Sequence, residues 1–452
     1  GTWRDNTYPG AACDVPSHLY SYSFALNPDW TRSFSSQPEI LAYLRRLARE
    51  HDLERSIRLS TTVESAAWDE ATGRWVLETS GGPVRARFLI AAQGPLSEPR
   101  LPDIPGRETF AGTAFHSAGW DHAHDLRGRR VAVIGTGASA IQFVPAIQPE
   151  VGTLHVFQRT APWVMPRANR RISVRERALY RRFPVLQKLA RGGIYTSREA
   201  LVAGLAKRPA LLAVVERAGR AHRRAQVADP ELRRRLRPDF RVGCKRILPS
   251  DEWYPALQQP NVELVTDGIA EIREHAIVTA DGREREVDTI IYGTGFRVAD
   301  MPVGEWVRGR GGVRLAEAWQ GSPKAYLGTA TSGFPNLFFL LGPNTGLGHS
   351  SVVYMMESQL SYVLGALRAA GDGIVEVRPE AEAAFTAEID RRMAGTAWSS
   401  GCMSWYQDAT GRNPTIWPDW TWRFRRRTRA FEPAKFTLTP APRAASAERV
   451  TA

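Results

Sequence analysis

The stretch Arg130 to Ala140 reads R-V-A-V-I-G-T-G-A-S-A, an apolar run that breaks into Gly135, Thr136, Gly137, Ala138, Ser139 and Ala140. A buried strand ending in G-x-G-x-x-A, with a helix continuing through Ile141, Gln142 and Phe143, is the arrangement that holds a dinucleotide pyrophosphate. The first glycine allows the tight turn, the second lets a phosphate reach the backbone, and the small third residue lets helix and strand pack closely. The pyrophosphate then meets the helix N-terminus, where unpaired N–H groups and the helix dipole favour negative charge. A second apolar run, Leu154 to Phe157, leads to Gln158, Arg159 and Thr160. NAD-binding chains carry Asp or Glu at such a strand end for the ribose hydroxyl, whereas Arg159 can pair with a 2′-phosphate, so NADPH is the expected nucleotide. The competing reading leaves Arg159 as an exposed strand-end arginine.

These residues need elements to position them, and one pattern occurs twice. From Thr61 the chain alternates, turns at Asp69 to Gly73, runs to Gly81-Gly82, and closes with an apolar strand, Phe88 to Ala92, that stops at Gln93-Gly94. From Val262 the pattern repeats, turning at Asp281-Gly282 and closing with Asp288 to Tyr292 before Gly293-Thr294-Gly295. Each copy reads as a β-meander feeding a buried strand that ends in glycine. The expected fold is α/β, with two doubly wound, Rossmann-like dinucleotide-binding domains, their meanders and a helical insertion. The insertion is Ser173 to Arg237, with apolar positions at mixed three and four spacings and breaks at Pro209 and Pro230. Farther on, Pro335 to Leu341 reads as a strand and Ser350 to Ala370 as a helix. The glycine-rich unit precedes the second copy only; a βαβ unit takes roughly 30 residues, and with Gly1 opening the chain, about that much is expected to be missing from the amino end.

The expected division is therefore 1–108 for an FAD-type domain lacking its first unit and 109–172 and 238–327 for the NADPH domain. Residues 173–237 are its insertion, 328–436 the carboxyl-terminal part of the first domain, and 437–452, rich in Ala, Pro and Thr, a disordered tail.

Composition narrows the classes. At 452 residues the chain exceeds one ordinary core, and 43% hydrophobic with 24% charged residues is that of a folded globular body. The formal charge of +13 and the run Trp422 to Arg429 raise nucleic acid as a partner, but no nucleic-acid module accompanies them. A basic exterior serving anionic cofactors is preferred. Cys13, Cys244 and Cys402 are far apart and form no C-x-x-C, so neither a disulfide framework nor a metal site is expected, and a reducing cytoplasm fits. No apolar stretch is long enough for a membrane span.

Between the two copies lies Phe110-x-Gly112-x-x-x-His116-x-x-x-Trp120-Asp121. This segment resembles the fingerprint of type I Baeyer-Villiger monooxygenases, including its Trp-Asp ending. On residues alone His116 is a satisfied structural histidine, and the resemblance places it on an interdomain linker. The resemblance covers nearly the whole chain. The opening Gly1 to Phe24 is similar to the segment that wraps FAD, implying that Trp3 and Tyr20 contact FAD and that Asp14, otherwise a helix-cap candidate, lies near the reactive edge of the flavin. Gln93 would also face a cofactor. Gly243 to Leu248, G-C-K-R-I-L, matches the loop that brings Lys245 to NADPH and Arg246 to the active site. The remaining matches are Gly342 to Ser350 near the flavin and Met403-Ser404-Trp405-Tyr406, where Trp405 would close over nucleotide or substrate. The activity implied is FAD- and NADPH-dependent insertion of one oxygen atom from O2 into a ketone through a C4a-peroxyflavin, giving an ester or lactone. A fixed guanidinium at Arg246, held by Asp14, would stabilise the anionic oxidant. Oxidation of nitrogen or sulfur, or a nucleotide-binding remnant without turnover, are the alternatives; the ketone and the oligomeric state are not specified.

Overall fold

The computed structural model describes residues 1–442. After the helix Gln37–Glu50, strands β1 (Val63–Asp69), β2 (Arg74–Thr79) and β3 (Val84–Ala86) form an antiparallel meander. Trp68 and Trp75 face each other across β1 and β2 in edge-to-face contact, 5.6 Å between centroids, a pairing that adds about 0.5–1.5 kcal/mol beyond burial. Strand β4 (Leu89–Ala91) leaves the meander and carries the chain toward Gln93.

The chain then enters β5 (Thr113–His116), β6 (Arg130–Ile134), the helix Ala140–Ile147 and β7 (Thr153–Phe157). β8 (Val164–Met165) pairs with β9 (Leu248–Pro249) across the helical segment. That segment contains helices Val174–Arg182, Pro184–Val202, Ala213–Gln226 and Pro230–Arg235. Ser173 accepts a hydrogen bond from Glu176 N and starts the first; Asp229 accepts from Glu231 N and Leu232 N and starts the last, with Pro230 at its first position. Beyond it come β10 (Val262–Val265), the antiparallel trio β11 (Ile269–Ile272), β12 (Ala276–Thr279) and β13 (Glu284–Glu286), and then β14 (Thr289–Tyr292).

β10, β7, β6, β14 and β5, in that order, make an all-parallel five-stranded sheet. Val131, Val133, Leu154 and Val156 are fully buried on it, each contributing about 1.5–3 kcal/mol relative to exposure. Val262–Val265 was expected to open the second meander; it is instead an outer strand of this sheet, paired parallel to β7. Four residues, V-E-L-V, are too few for periodicity to tell a meander strand from a parallel one, and tertiary pairing decides.

β15 (Val307–Arg308) adds parallel to β1, and β16 (Leu337–Phe339) pairs parallel with β4, closing the first domain from the far end of the chain. The helix Val352–Ala370 packs over β16. β17 (Ile374–Val377) pairs antiparallel with β18 (Phe436–Thr439). Residues 437–439 were expected to begin a disordered tail; they are strand, because Phe436 anchors β18 in the core and Ile374–Val377 supplies an open edge. The rest of that expectation, from 443, lies outside the described residues. No helix among the described residues is long and apolar enough to cross a membrane.

Candidate functional site

Gly135 has φ 110°, and a Cβ there would lie 2.5 Å from the carbonyl oxygen of Gly293, at the end of β14. Only glycine fits this contact. Above Gly137 the space is open, the nearest atom to an added Cβ being 3.9 Å away, which leaves room for a phosphate at the start of Ala140–Ile147. Ala140 is fully buried, and an added Cβ on Gly293 would sit 3.4 Å from its methyl, the close helix-sheet packing that a small residue permits. Ala138 is exposed and Ser139 is the N-cap with no side-chain capping bond. Thr136 Oγ1 donates to Thr160 O at 3.3 Å, tying the turn to the end of β7. Gln142, counted by sequence among the cofactor contacts, points the other way. Its amide donates to Ala12 O and accepts from Ala12 N and Tyr8 Oη, at 3.0–3.2 Å, so its side chain clasps the amino-terminal segment to this helix.

Arg159 is exposed at the end of β7, and Lys245 Nζ lies 4.8 Å from the Phe240 ring centroid. Burial holds the Lys245 ammonium below its ordinary range, the charge of Arg159 lowers it further, and Asp239 opposes them. Two cations close enough to repel, in a partly buried place, form a site that an anion would relieve.

The second cluster centres on Arg246. Its Nε and Nη2 donate to the two carboxylate oxygens of Asp14 at 2.6 and 2.8 Å, and Nη1 donates to Leu347 O at 3.3 Å. The pair is 25% and 21% exposed and brings together the amino-terminal segment, the Gly243–Leu248 loop and the Gly342–Ser350 loop. Burial alone would push Asp14 up, but the adjacent guanidinium and its hydrogen bonds outweigh it, so the carboxyl is held below the usual carboxylate range. Burial would lower Arg246; Asp14 more than reverses it, and the guanidinium stays charged. Tyr406 is fully buried beside Arg246, and burial pushes its phenol up to about 12 despite that cation. Trp3 Nε1 donates to Tyr20 Oη at 3.0 Å, with the rings edge to face, and Gln37 donates to Trp3 O. Gln93 is exposed beyond β4, and Trp405 packs on Tyr406 at 4.4 Å while staying 38% exposed.

Sequence reading missed two arginines here. Arg167 donates to Cys13 O at 3.2 Å and packs over Phe34, and Arg198 is partly buried where the charge of Asp14 reaches it. Neither has a local signal: in a chain this rich in arginine, only the fold distinguishes them. The cysteines also depart from expectation. Cys244 and Cys402, 158 residues apart, form a disulfide with Cα atoms 6.2 Å apart, and Cys13 alone is free and buried. Pairing over that distance leaves no spacing pattern, since the folded loops bring the two together.

The residues from Phe110 to Asp121 have packing roles, and His116, expected on an interdomain linker, is instead the last residue of β5, paired with Tyr292 in the five-stranded sheet. A Cβ at Gly112 would strike Asp288 O and the Phe110 ring, at 2.5 and 2.6 Å, so glycine lets Phe110 fold back over the strand. His116 is buried, its Nδ1 accepting from Ala118 N at 3.1 Å and its ring edge-to-face with Phe296; burial holds it below its ordinary pKa. Trp120 packs on Phe115 and Phe143, and Asp121 accepts from Ala123 N.

A family model described as pyridine nucleotide-disulphide oxidoreductase matches residues 17–190. A Baeyer-Villiger monooxygenase of Streptomyces coelicolor is 50% identical over 448 residues, 98% of this chain and 86% of that protein. One from Pseudomonas aeruginosa is 49% identical over 451 residues, with the same coverage of 98% and 86%. Among solved structures, cyclohexanone monooxygenase from Rhodococcus sp. Phi1 bound to NADP+ matches with TM-score 0.85 at 29% identity, over 98% of this chain and 92% of that one. An oxidised steroid monooxygenase bound to NADP matches with TM-score 0.84 at 33% identity, over 98% and 92%. A glycine turn built for a dinucleotide at the end of β6, an arginine held by a carboxylate from a distant segment, and identity of this extent over this length have one reading: the chain belongs to the Baeyer-Villiger monooxygenases.

Proposed function

We propose that this protein uses NADPH, FAD and O2 to insert one oxygen atom into a ketone, giving an ester or lactone. The observation that carries the reading is the Arg246–Asp14 pair, a permanently charged guanidinium fixed by both carboxylate oxygens where three segments meet.

The residues present fit both cofactors. Open space over Gly137 and the Arg159–Lys245 pair suit a pyrophosphate and a 2′-phosphate. On the other side, His349 Nδ1 and Ser350 Oγ are buried polar atoms with no protein partner, which a polar cofactor edge would satisfy. Trp3, Asp14, Tyr20 and Gln93 would hold FAD, and Gly135 to Ala140, Arg159, Thr160 and Lys245 would hold NADPH. When bound, these groups supply the hydride and activate oxygen.

The protein supplies position and charge. Asp14 keeps the Arg246 fork in one orientation, and Arg246 stabilises negative charge at the reacting oxygen, where a donor that cannot lose its proton also guards against protonation. Tyr406, neutral at assay pH, closes the wall beside Arg246, and Trp405 lies outside it, where it can cover nucleotide or substrate. We assign residues 1–108 and 328–439 to the FAD domain, 109–172 and 238–327 to the NADPH domain, and 173–237 to its insertion. NADPH use fits a cytoplasmic setting.

The test is product analysis with a ketone and a thioether offered together. Ester or lactone formation supports the proposal, and exclusive sulfoxide formation would replace it with heteroatom oxidation.

A further inference from the structure

Two distant segments meet beside Arg246. One is the turn at Gly243, with φ 90°, which leads directly into Cys244, Lys245 and Arg246. The other runs from Ala397 to Tyr406. Ala397, Trp398 and Tyr406 are buried in the same apolar cluster as Val242, Leu205 and Leu212, and an added Cβ on Gly243 would lie 3.4 Å from that of Ala397. The Cys244–Cys402 disulfide is the covalent tie between them.

Little else fastens the tip of the second segment. Among the described residues, the hydrogen bonds of 401–407 are all local: Gln407 N to Ser404 O, Ser404 N to Gln407 Oε1, and Tyr406 N to Ser404 Oγ. Met403 is 80% exposed, and the buried Tyr406 hydroxyl has no hydrogen-bond partner. The remaining anchors are the ring of Tyr406 and the disulfide. A segment with few buried contacts and few outward hydrogen bonds belongs to the low-stability end of a structure, so one covalent tie changes its freedom substantially.

We infer that Cys244 and Cys402 are a reversible dithiol–disulfide site whose oxidation fastens the Gly401–Gln407 segment, with Trp405, to the Lys245–Arg246 loop, and whose reduction releases it. Cys402 is partly exposed and Cys244 buried, so an external thiolate attacks the Cys402 sulfur, and Cys244 leaves as a thiolate and takes up a proton. The second thiol of the external dithiol then displaces Cys402; the dithiol ends as a disulfide and the protein has gained two electrons and two protons. Hydrogen peroxide reverses the change. The Cys402 thiolate takes one oxygen to become a sulfenic acid with loss of hydroxide, Cys244 attacks its sulfur, and two thiols with one peroxide give one disulfide and two waters. The consequence for nucleotide release rests on the nucleotide-site reading above, whereas the thiol chemistry does not.

The experiment uses the full chain, oxidised with hydrogen peroxide or reduced with dithiothreitol, beside Cys402→Ser. Alkylation after unfolding, read by mass spectrometry, should label Cys13 alone in the oxidised protein and all 3 cysteines in the reduced one. Hydrogen exchange of the peptide covering 401–407 should quicken on reduction by about tenfold or more. NADP+ should dissociate severalfold faster in the same comparison, and Cys402→Ser should behave as the reduced protein whatever the redox treatment. Three alkylated cysteines after peroxide, or equal exchange in the oxidised and reduced proteins, would overturn the inference. Altered exchange in a protein that does not oxygenate ketones would leave the redox site standing and remove the proposed function.

Discussion

Arg246 meets Asp14 side on, Nε and Nη2 lying 2.6 and 2.8 Å from the two oxygens of one carboxylate across 232 residues of chain. The fork leaves Nη1 turned toward Leu347 O, so the orientation of the guanidinium is set from two sides. Asp14→Asn keeps the Arg246 charge but loses this fixing. Ester formation should fall by roughly 100-fold, the scale of a small misplacement, while NADPH affinity stays near wild type. Near-normal turnover in Asp14→Asn, measured by product chromatography, would remove Asp14 from the site.

The same pair gives a pH dependence of stability. Asp14 has a lowered pKa in the folded protein, so its stabilisation is fully present above the unfolded carboxyl value near 4. It is lost as pH falls below that value and through the folded one. Urea unfolding of wild type and Asp14→Asn should therefore differ by a constant amount from about pH 5 to 8 and converge in more acid solution. A gap that widened in acid would mean the carboxyl is not held low.

For the nucleotide, Arg159 and Lys245 predict that NADPH binds at least about tenfold more tightly than NADH, or about 1.4 kcal/mol. Arg159→Ala should erase most of that preference by weakening NADPH and leaving NADH unchanged. Calorimetric titration of both nucleotides checks it, and equal affinities in the wild type would refute the 2′-phosphate assignment.

Gln142→Ala should act on stability and not on nucleotide affinity, because the amide serves Ala12 and Tyr8. Losing hydrogen bonds that leave a backbone N–H and C=O without partners costs about 1–3 kcal/mol. Denaturant unfolding would show the loss; an intact stability with weakened NADPH binding would return Gln142 to the cofactor side.

Much of this was legible in the sequence where local physics fixes geometry. Gly135 follows from the turn it must make, and β6 from its apolar run. The first meander follows from alternation, visible in Trp75 and Leu77 pointing inward. What escaped is set by long-range contact. Val262–Val265 and Thr437–Thr439 are short runs whose state depends on the strand they meet. Gln142 sits where a cofactor contact is expected, and only the position of Ala12 reveals its partner. Cys244 and Cys402 pair because two loops converge beside Arg246, and Arg167 and Arg198 come within reach of the Asp14 charge from elements far from it in sequence.

The most direct test of the account supplies the protein with FAD, NADPH, a ketone and isotopically labelled dioxygen, and reads the product by mass spectrometry for wild type and Arg246→Ala. Wild type should give an ester or lactone carrying one labelled oxygen. Arg246→Ala, still folded and still binding NADPH, should give on the order of 100-fold to 1000-fold less, as for loss of one preorganised charge-stabilising group. A flavin-loaded wild type that leaves the ketone untouched, or an Arg246→Ala variant that still forms the labelled ester at a near-normal rate, would contradict it.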